Sequence, residues 1–174
     1  MKAPARCTGK THTSNILGWR EWAALPDLGV GAIKVKLDTG ARTSALHAFG
    51  LERFMREGTP MVRFEVHPVQ RSSAASVSVE AKVLDERVVR TSSGHEALRP
   101  VINTIVQIGH QAWPIELTLA RRDQMGFRML LGRQALRNRV VVDSGTSFRA
   151  GRHPAPPSAE APIPNRNRSR EDTE

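Results

Sequence analysis

The amino-acid sequence predicts an all-β fold with very little helix. Short stretches in which apolar and polar residues alternate recur along the chain, and clusters of Gly, Pro, Asn, Asp and Ser separate them. Many short strands joined by turns are typical of a closed or sandwiched β architecture. With 174 residues, the chain is long enough for one domain of ordinary size.

The first ordered stretch is expected at residues 16–26. It contains Trp19 and Trp22, which we expect to anchor the first strand to the core, because buried tryptophan usually serves packing. A glycine-punctuated turn at residues 27–31 leads into the clearest strand of the sequence. In that strand, residues 33–37 alternate aliphatic and lysine side chains, which indicates one buried face.

This strand ends in Asp38, and the turn that follows it is Thr39-Gly40. Gly40 permits a tight turn or a close backbone approach, and the Thr39 hydroxyl can fix the loop by hydrogen bonding. Asp and Gly also dominate ordinary turns for local reasons. A carboxylate at the end of a rigid strand, on a loop of small residues, is nevertheless well placed for acid–base chemistry.

Further strands are predicted downstream of this turn, and a short helical turn or loop is expected at residues 51–55. The predicted downstream strands are residues 42–51, 61–67, 77–84, 87–90, 99–108, 111–120 and 140–142. The pair 99–108 and 111–120 should form a hairpin. Residues 134–138 are the one predicted helix.

Both ends of the chain are expected to be disordered tails. Residues 1–14 are polar and aperiodic, and residues 149–174 are rich in Pro and Arg. The folded domain is therefore predicted at residues 15–148. Nothing near the N-terminus looks like a signal peptide, and no stretch approaches the roughly 20 apolar residues of a membrane span. We expect a soluble, cytoplasmic protein without a membrane partner.

The formal net charge of +9 suits an acidic partner, either an acidic peptide or nucleic acid. Aromatic residues make up only 5% of the chain, and no base-stacking cluster accompanies the arginines, so nucleic acid is not the expected partner. Cys7 is the single cysteine, which excludes an intramolecular disulfide and argues against a cysteine-based metal site.

Four segments resemble one bacterial and archaeal protein family. They are Gly18-Trp19-Arg20-Glu21-Trp22, residues 37–48 (Leu-Asp-Thr-Gly-Ala-Arg-Thr-Ser-Ala-Leu-His-Ala), Leu98-Arg99-Pro100-Val101-Ile102 and Gly126-Phe127-Arg128-Met129-Leu130-Leu131-Gly132-Arg133. The family is known as retropepsin-like aspartic endopeptidase and, historically, as ATP-dependent zinc protease. The resemblance covers about residues 16–148 and implies a closed acid-protease barrel that works as a homodimer.

The resemblance also implies a substrate class. Genes of this family often accompany an ATP-grasp ligase that adds glutamates to a small-subunit ribosomal protein. A role in trimming such tails is implied for some members, so the expected substrate is a peptide or protein that is acidic or polyglutamylated.

The two family names imply different chemistries, and the residues favour the aspartic one. A catalytic zinc site needs about three protein ligands, commonly two His on one helical face with a Glu nearby. The chain has no His-Glu-x-x-His motif, and its histidines are scattered at positions 12, 47, 67, 95, 110 and 153. No Gly-x-x-x-x-Gly-Lys-Ser/Thr loop supports ATP use. We predict no metal and no cofactor, and a zinc-dependent protease remains the alternative.

Aspartic peptidase chemistry needs two carboxylates that share one proton. One Asp-Thr-Gly motif in so short a chain implies that the second carboxylate comes from a second copy across a two-fold axis. The resemblance assigns catalysis to Asp38, Thr39 and Gly40. In proteases of this type, a paired-apolar segment ending in Gly lies beside the catalytic loop, and here Leu131 and Gly132 match it.

The predicted substrate contacts flank this site. Ala41 and Arg42 follow the catalytic loop, Arg133 follows its support, and Ser92-Ser93-Gly94 is the candidate tip of a covering flap. Arg42 and Arg133 could bind substrate carboxylates bidentately, or they could form ion pairs that brace the loop or an interface. His47 is expected to be a structural residue.

A rival carboxylate lies within the chain at Asp143, in Val141-Val142-Asp143-Ser144-Gly145. A proline-rich tail follows it, and we expect no second supporting Leu-Gly segment, so Asp143 is predicted to close a terminal turn. Two non-enzymatic alternatives also stay open. The chain could be an adaptor that uses the barrel to bind peptides, or it could bind RNA through its arginines.

Overall fold

The computed structural model describes residues 15–69, 76–90, 96–120 and 126–151. The described part is nearly all β, as the sequence predicts. Its strands are β1 (Asn15–Gly18), β2 (Arg20–Leu25), β3 (Val30–Asp38), β4 (Ser44–His47), β5 (Phe49–Arg56), β6 (Thr59–Val66), β7 (Val77–Lys82), β8 (Asp85–Arg90), β9 (Glu96–Ile108), β10 (Gln111–Ala120), β11 (Met129–Gly132) and β12 (Val140–Asp143). A 3₁₀ turn covers Pro26–Leu28, and one short helix, α1, covers Arg133–Leu136.

Six strands close into a barrel in the order β10, β4, β11, β3, β2 and β9, because β9 also pairs with β10. Closure of this kind removes free sheet edges. β3 lies between β2, which runs antiparallel to it, and β11, which runs parallel to it. The aliphatic side chains of β3 point into the core, where Ile33, Val35 and Leu37 are buried. The alternation of this strand is therefore confirmed.

Two small sheets accompany the barrel. β5, β6 and β7 form an antiparallel sheet, and β6 contributes Val62, Phe64 and Val66 to the common core. β1 and β12 form a parallel pair. β8 extends the barrel sheet at β9. The pairing of β9 with β10 confirms the predicted hairpin.

Some local predictions are wrong. The predicted strand 42–51 is divided into β4 and β5, and residues 51–55 continue β5 instead of forming a helical turn. Most of β5 is exposed, and the strand is held by its pairing with β6, so it lacks a buried periodic face that the sequence could reveal. The helix begins one residue earlier than predicted. Trp19 and Trp22 are half-buried on the outer face of the barrel and do not anchor a strand to the core.

The predicted tails lie largely outside the described residues. Bonding to the barrel continues past residue 148, because the backbone N–H groups of Arg149 and Ala150 donate to the Glu21 carboxylate at 2.9 and 3.2 Å. Within the described residues, no helix has the length and apolar character needed to cross a membrane.

Candidate active site

Asp38 stands at the end of β3, and its own loop fixes its carboxylate. The backbone N–H groups of Gly40 and Ala41 both donate to Oδ1 at 3.1 Å. Oδ2 accepts a hydrogen bond from Lys36 Nζ at 3.3 Å. The side chain is 24% exposed, so the carboxylate is held in one orientation and is still accessible.

The surroundings of Asp38 have opposing effects on its pKa. Burial favours the neutral acid and works to raise the pKa, whereas the Ala41 N–H, the hydrogen bond and charge of Lys36, and the Gly40 N–H favour the carboxylate. The net result is a pKa below the ordinary value of 3.8. In this single chain, Asp38 is therefore poised as an anion, the form that a general base requires.

The segment predicted to support the loop lies directly beside it. In the parallel register of β11 with β3, Gly132 is opposite Asp38 and the fully buried Leu131 is opposite Leu37. A Cβ atom on Gly132 would lie 2.5 Å from the carbonyl of Thr43, so only glycine fits there. The N–H of Arg133 then donates to the carbonyl of Ala41 at 2.8 Å.

The predicted substrate contacts are only partly described. Arg42 and Arg133 are exposed on either side of the loop, and no carboxylate among the described residues pairs with either guanidinium. Arg133 donates to the carbonyl of Thr39 at 3.4 Å, which favours a bracing role for at least one of its nitrogens. The predicted flap residues Ser93 and Gly94 lie outside the described residues. His47 is buried, with its ring 4.1 Å from that of Phe49.

A second loop repeats the construction of the Asp38 loop. In the parallel pair of β1 with β12, Gly18 is opposite Asp143. The N–H of Gly145 donates to Asp143 Oδ1 at 2.9 Å, and the N–H of Trp19 donates to the carbonyl of Thr146 at 3.0 Å. A Cβ atom on Gly18 would lie 2.6 Å from that carbonyl oxygen.

This finding corrects one expectation from the sequence. The Asp143 loop does have a supporting Leu-Gly segment, Leu17-Gly18, which comes from the opposite end of the folded chain. The sequence offers one signal for this supporting segment, because Ile16-Leu17-Gly18 is similar to Leu130-Leu131-Gly132. The two loops nevertheless differ in their second oxygen, since Asp143 Oδ2 accepts a hydrogen bond from the Thr146 hydroxyl at 3.1 Å.

The sequence analysis also missed Glu21. Its side chain is fully buried, and its carboxylate accepts hydrogen bonds from the backbone N–H groups of Gly18, Arg149 and Ala150 at 2.7, 2.9 and 3.2 Å. Glu21 thereby ties the start of the barrel to the segment after Asp143. Two signals were available: Glu21 shares the inward-facing positions of β2 with Ala23 and Leu25, and it lies in the 18–22 segment that resembles the family.

The described residues do not fit the zinc site that the historical family name implies. Among them, no three His, Cys, Asp or Glu side chains are grouped as a metal ion would require.

Curated relatives match most of this chain in sequence. A "Probable alpha-L-glutamate ligase" from Shewanella pealeana is 49% identical over 136 residues, and one from Desulfotalea psychrophila is 44% identical over 128 residues. The matches cover 78% and 74% of this chain, but only 30% and 28% of those relatives. This chain therefore spans less than a third of their length.

A solved structure and a family profile agree with the barrel. The crystal structure of a Legionella pneumophila protein of unknown function (DUF785) superposes with a TM-score of 0.65 and 27% identity, over 79% of this chain and 99% of that one. Residues 16–153 match the RimB-like profile, described as "Retropepsin-like aspartic endopeptidase RimB". This chain belongs to that RimB-like, retropepsin-like family.

Proposed function

We propose that this protein is an aspartic peptidase in which Asp38 from two copies of the chain activates a water molecule. The observation that carries this proposal is the construction of the Asp38 loop. Its carboxylate is fixed by the Gly40 and Ala41 amides at the end of a barrel strand, and Gly132 packs behind it. Membership of a retropepsin-like family supports the same chemistry.

The mechanism requires the two Asp38 carboxylates to share one proton, and they would titrate as a pair. The ionised member takes a proton from the water, which attacks the peptide carbonyl. The protonated member gives its proton to the departing amine. Thr39 and Gly40 hold the loop, while Leu131 and Gly132 support it, so that the carboxylate does not have to reorganise during the reaction.

We further propose that the substrate is an acidic or glutamate-tailed protein. The support is the name of the curated relatives, because a glutamate ligase forms products that carry added carboxylates. A peptidase-like domain joined to such a ligase would meet those products. The same names leave one alternative, a non-catalytic domain that only binds the acidic chain.

The experiment is cleavage of a glutamate-tailed peptide by the wild type and Asp38→Asn, each with and without EDTA. We expect cleavage that survives EDTA and is lost in Asp38→Asn. Cleavage that is lost with EDTA and kept in Asp38→Asn would establish a metal-dependent reaction instead. Binding of the peptide without cleavage, unchanged in Asp38→Asn, would favour the adaptor.

A further inference from the structure

Two sets of basic side chains among the described residues have different surroundings. Nearby carboxylates neutralise four arginines of the β5–β7 sheet and β8, which are Arg53, Arg56, Arg63 and Arg87. The pairs with the clearest geometry are Arg53–Glu86 at 2.7 Å, Arg63–Glu80 at 2.8 Å and Arg87–Asp85 at 2.8 Å. These exposed pairs satisfy one another and leave little net charge for a ligand.

The cations near Asp38 are arranged differently. Lys34, Lys36 and Asp38 occupy alternate positions of β3 and therefore lie on its outer face. On β2, Arg20 lies opposite Lys36, and Trp22 lies opposite Lys34. One face beside the candidate active site thus carries three cations in neighbouring positions.

Aromatic rings, not carboxylates, hold two of these cations. The Arg20 guanidinium lies 4.7 Å from the Trp19 ring and 5.2 Å from the Phe148 ring, and Lys34 Nζ lies 5.1 Å from the Trp22 ring. No carboxylate among the described residues pairs with Arg20 or Lys34. A ring face positions a cation without cancelling its charge, so both remain able to bind an anion.

We propose that Lys36, Arg20 and Lys34 form a row of subsites for the carboxylates of an acidic peptide, with Lys36 binding the glutamate nearest the scissile bond. This inference rests on the proposed peptidase function and names the residues that select its substrate. Alternate residues of a strand are about 6.6 Å apart, and alternate side chains of an extended peptide have the same spacing. Lys34 and Lys36 therefore match two glutamates separated by one residue.

The chemistry of a shared proton gives Lys36 a second role. An ammonium 3.3 Å from Asp38 Oδ2 favours a fully ionised pair of carboxylates, which has no proton for the departing amine. Arg20 on β2, Arg42 in the following loop and Arg133 at the start of α1 are further cations near this loop, and Lys36 is the one whose charge lowers the pKa of Asp38. A substrate carboxylate that binds Lys36 offsets that charge, so an acidic substrate helps to create the catalytic form.

The test compares two peptides that differ only in Glu or Gln beside the scissile bond, with wild type and Lys36→Met. We expect the wild type to prefer Glu by about 10- to 100-fold in kcat/KM, as for a charge-assisted contact. Part of this preference should appear in kcat. Lys36→Met should lose the preference, and Lys36→Arg should keep most of it. Lys34→Met should affect only peptides with a second Glu two residues from the first.

Lys82→Met is the matched control, because Lys82 is an exposed lysine of β7 on the neutralised sheet. It should leave the preference at the wild-type value. A Lys36→Met enzyme that is active and still prefers Glu would overturn the proposal.

A binding measurement separates this proposal from the peptidase function. Fluorescence anisotropy of a labelled oligoglutamate would be recorded with Asp38→Asn and with the double variant Asp38→Asn/Lys36→Met. Suppose that the wild type does not cleave the peptide, and that the double variant binds oligoglutamate at least about 10-fold more weakly than Asp38→Asn does. The subsites are then supported and the peptidase function is not. Equal binding by the two proteins would overturn the subsites.

Discussion

The Asp38 and Asp143 loops have the same backbone arrangement and differ in the group that binds the Oδ2 atom of the aspartate. In each loop, a glycine of a parallel strand lies opposite the aspartate, and the N–H two residues after the aspartate donates to its Oδ1. The third residue after the aspartate is Ala41 in one loop and Thr146 in the other. The Thr146 hydroxyl binds Asp143 Oδ2, whereas Asp38 Oδ2 is bound by the end of the half-exposed Lys36 side chain.

The loops therefore differ in the group that binds the second oxygen and not in exposure, since the Asp38 side chain is 24% exposed and the Asp143 side chain is 35% exposed. Both oxygens of Asp143 accept hydrogen bonds from its own loop, and Arg149 Nη1 lies 3.5 Å from Oδ2. In the Asp38 loop, backbone amides bind one oxygen, and a lysine from outside the loop binds the other.

Replacing each aspartate by asparagine should separate the loops by activity. Asp38→Asn should lose about a thousandfold in kcat, since it removes a proton-transfer group. Asp143→Asn should stay within about threefold of the wild type at a temperature where it remains folded, because its carboxylate is used in a turn. The measurement is cleavage of the glutamate-tailed peptide, with circular dichroism to check folding. Comparable losses would indicate that both aspartates of one chain take part in catalysis.

Replacing each supporting glycine by alanine should destabilise the fold in both loops. The new methyl group would meet the Thr43 carbonyl at 2.5 Å in Gly132→Ala and the Thr146 carbonyl oxygen at 2.6 Å in Gly18→Ala. Each change should lower the unfolding free energy, measured in urea, by about 3 kcal/mol, because the backbone must move to make room for the methyl group. Only Gly132→Ala should also lose activity under conditions where the protein is folded.

Gly126→Ala is the control for this pair, since a Cβ atom there meets nothing within 4 Å. Its unfolding free energy should change by less than about 0.5 kcal/mol. If Gly18→Ala abolished activity in the folded state, the separation of the two loops into a catalytic and a structural one would be wrong.

Exchanging the third residue after each aspartate tests the contrast most directly. Ala41→Thr should place a hydroxyl near Asp38 Oδ2 and lower kcat by about tenfold, because an accepted hydrogen bond stabilises the ionised form. Thr146→Ala should remove the matching bond from Asp143 and cost about 1 kcal/mol of stability with little loss of activity. Ala41→Ser, which carries a smaller hydroxyl-bearing side chain, should fall in between. Full activity in Ala41→Thr would show that this position does not control the second oxygen.

Local patterns were enough to predict much of this molecule. Stretches of a few residues predict the alternation of β3, its end at Asp38, the β9–β10 hairpin and the Leu-Gly segment of β11. β3 and the hairpin strands each have a buried face that produces a periodic pattern, whereas all four residues of β11 are buried and its Leu-Gly segment was predicted from the family resemblance. The strand β5 has little burial, and its prediction failed for that reason.

The features that the sequence concealed depend on contacts between distant segments. Leu17-Gly18 supports Asp143 through a parallel pairing of β1 with β12. Parallel strands are not joined by a tight turn, so the sequence shows no local sign of this pairing. Glu21 is fully buried although glutamate is seldom found in cores, and three backbone N–H groups from two separate segments make that burial tolerable. The cation row beside Asp38 needs the register of β2 with β3 before its members can be seen as neighbours.

The smallest expected effect is the contribution of Asp38 to the pH dependence of stability. Although burial works to raise its pKa, the Ala41 N–H, Lys36 and the Gly40 N–H hold the pKa below 3.8. A carboxyl group with a lower pKa in the folded chain adds stability that is present above its unfolded pKa and is lost as the pH falls through its folded pKa. The difference in unfolding free energy between wild type and Asp38→Asn should therefore shrink between about pH 5 and pH 2. Urea unfolding measures this at a protein concentration where the chain is monomeric by sedimentation, because two paired Asp38 carboxylates would titrate together. Lys36→Met should reduce the change, while Lys82→Met should leave it intact. A difference that stays constant over this range would mean that Asp38 has the same pKa in the folded and unfolded chain, and that its loop does not select the ionised form.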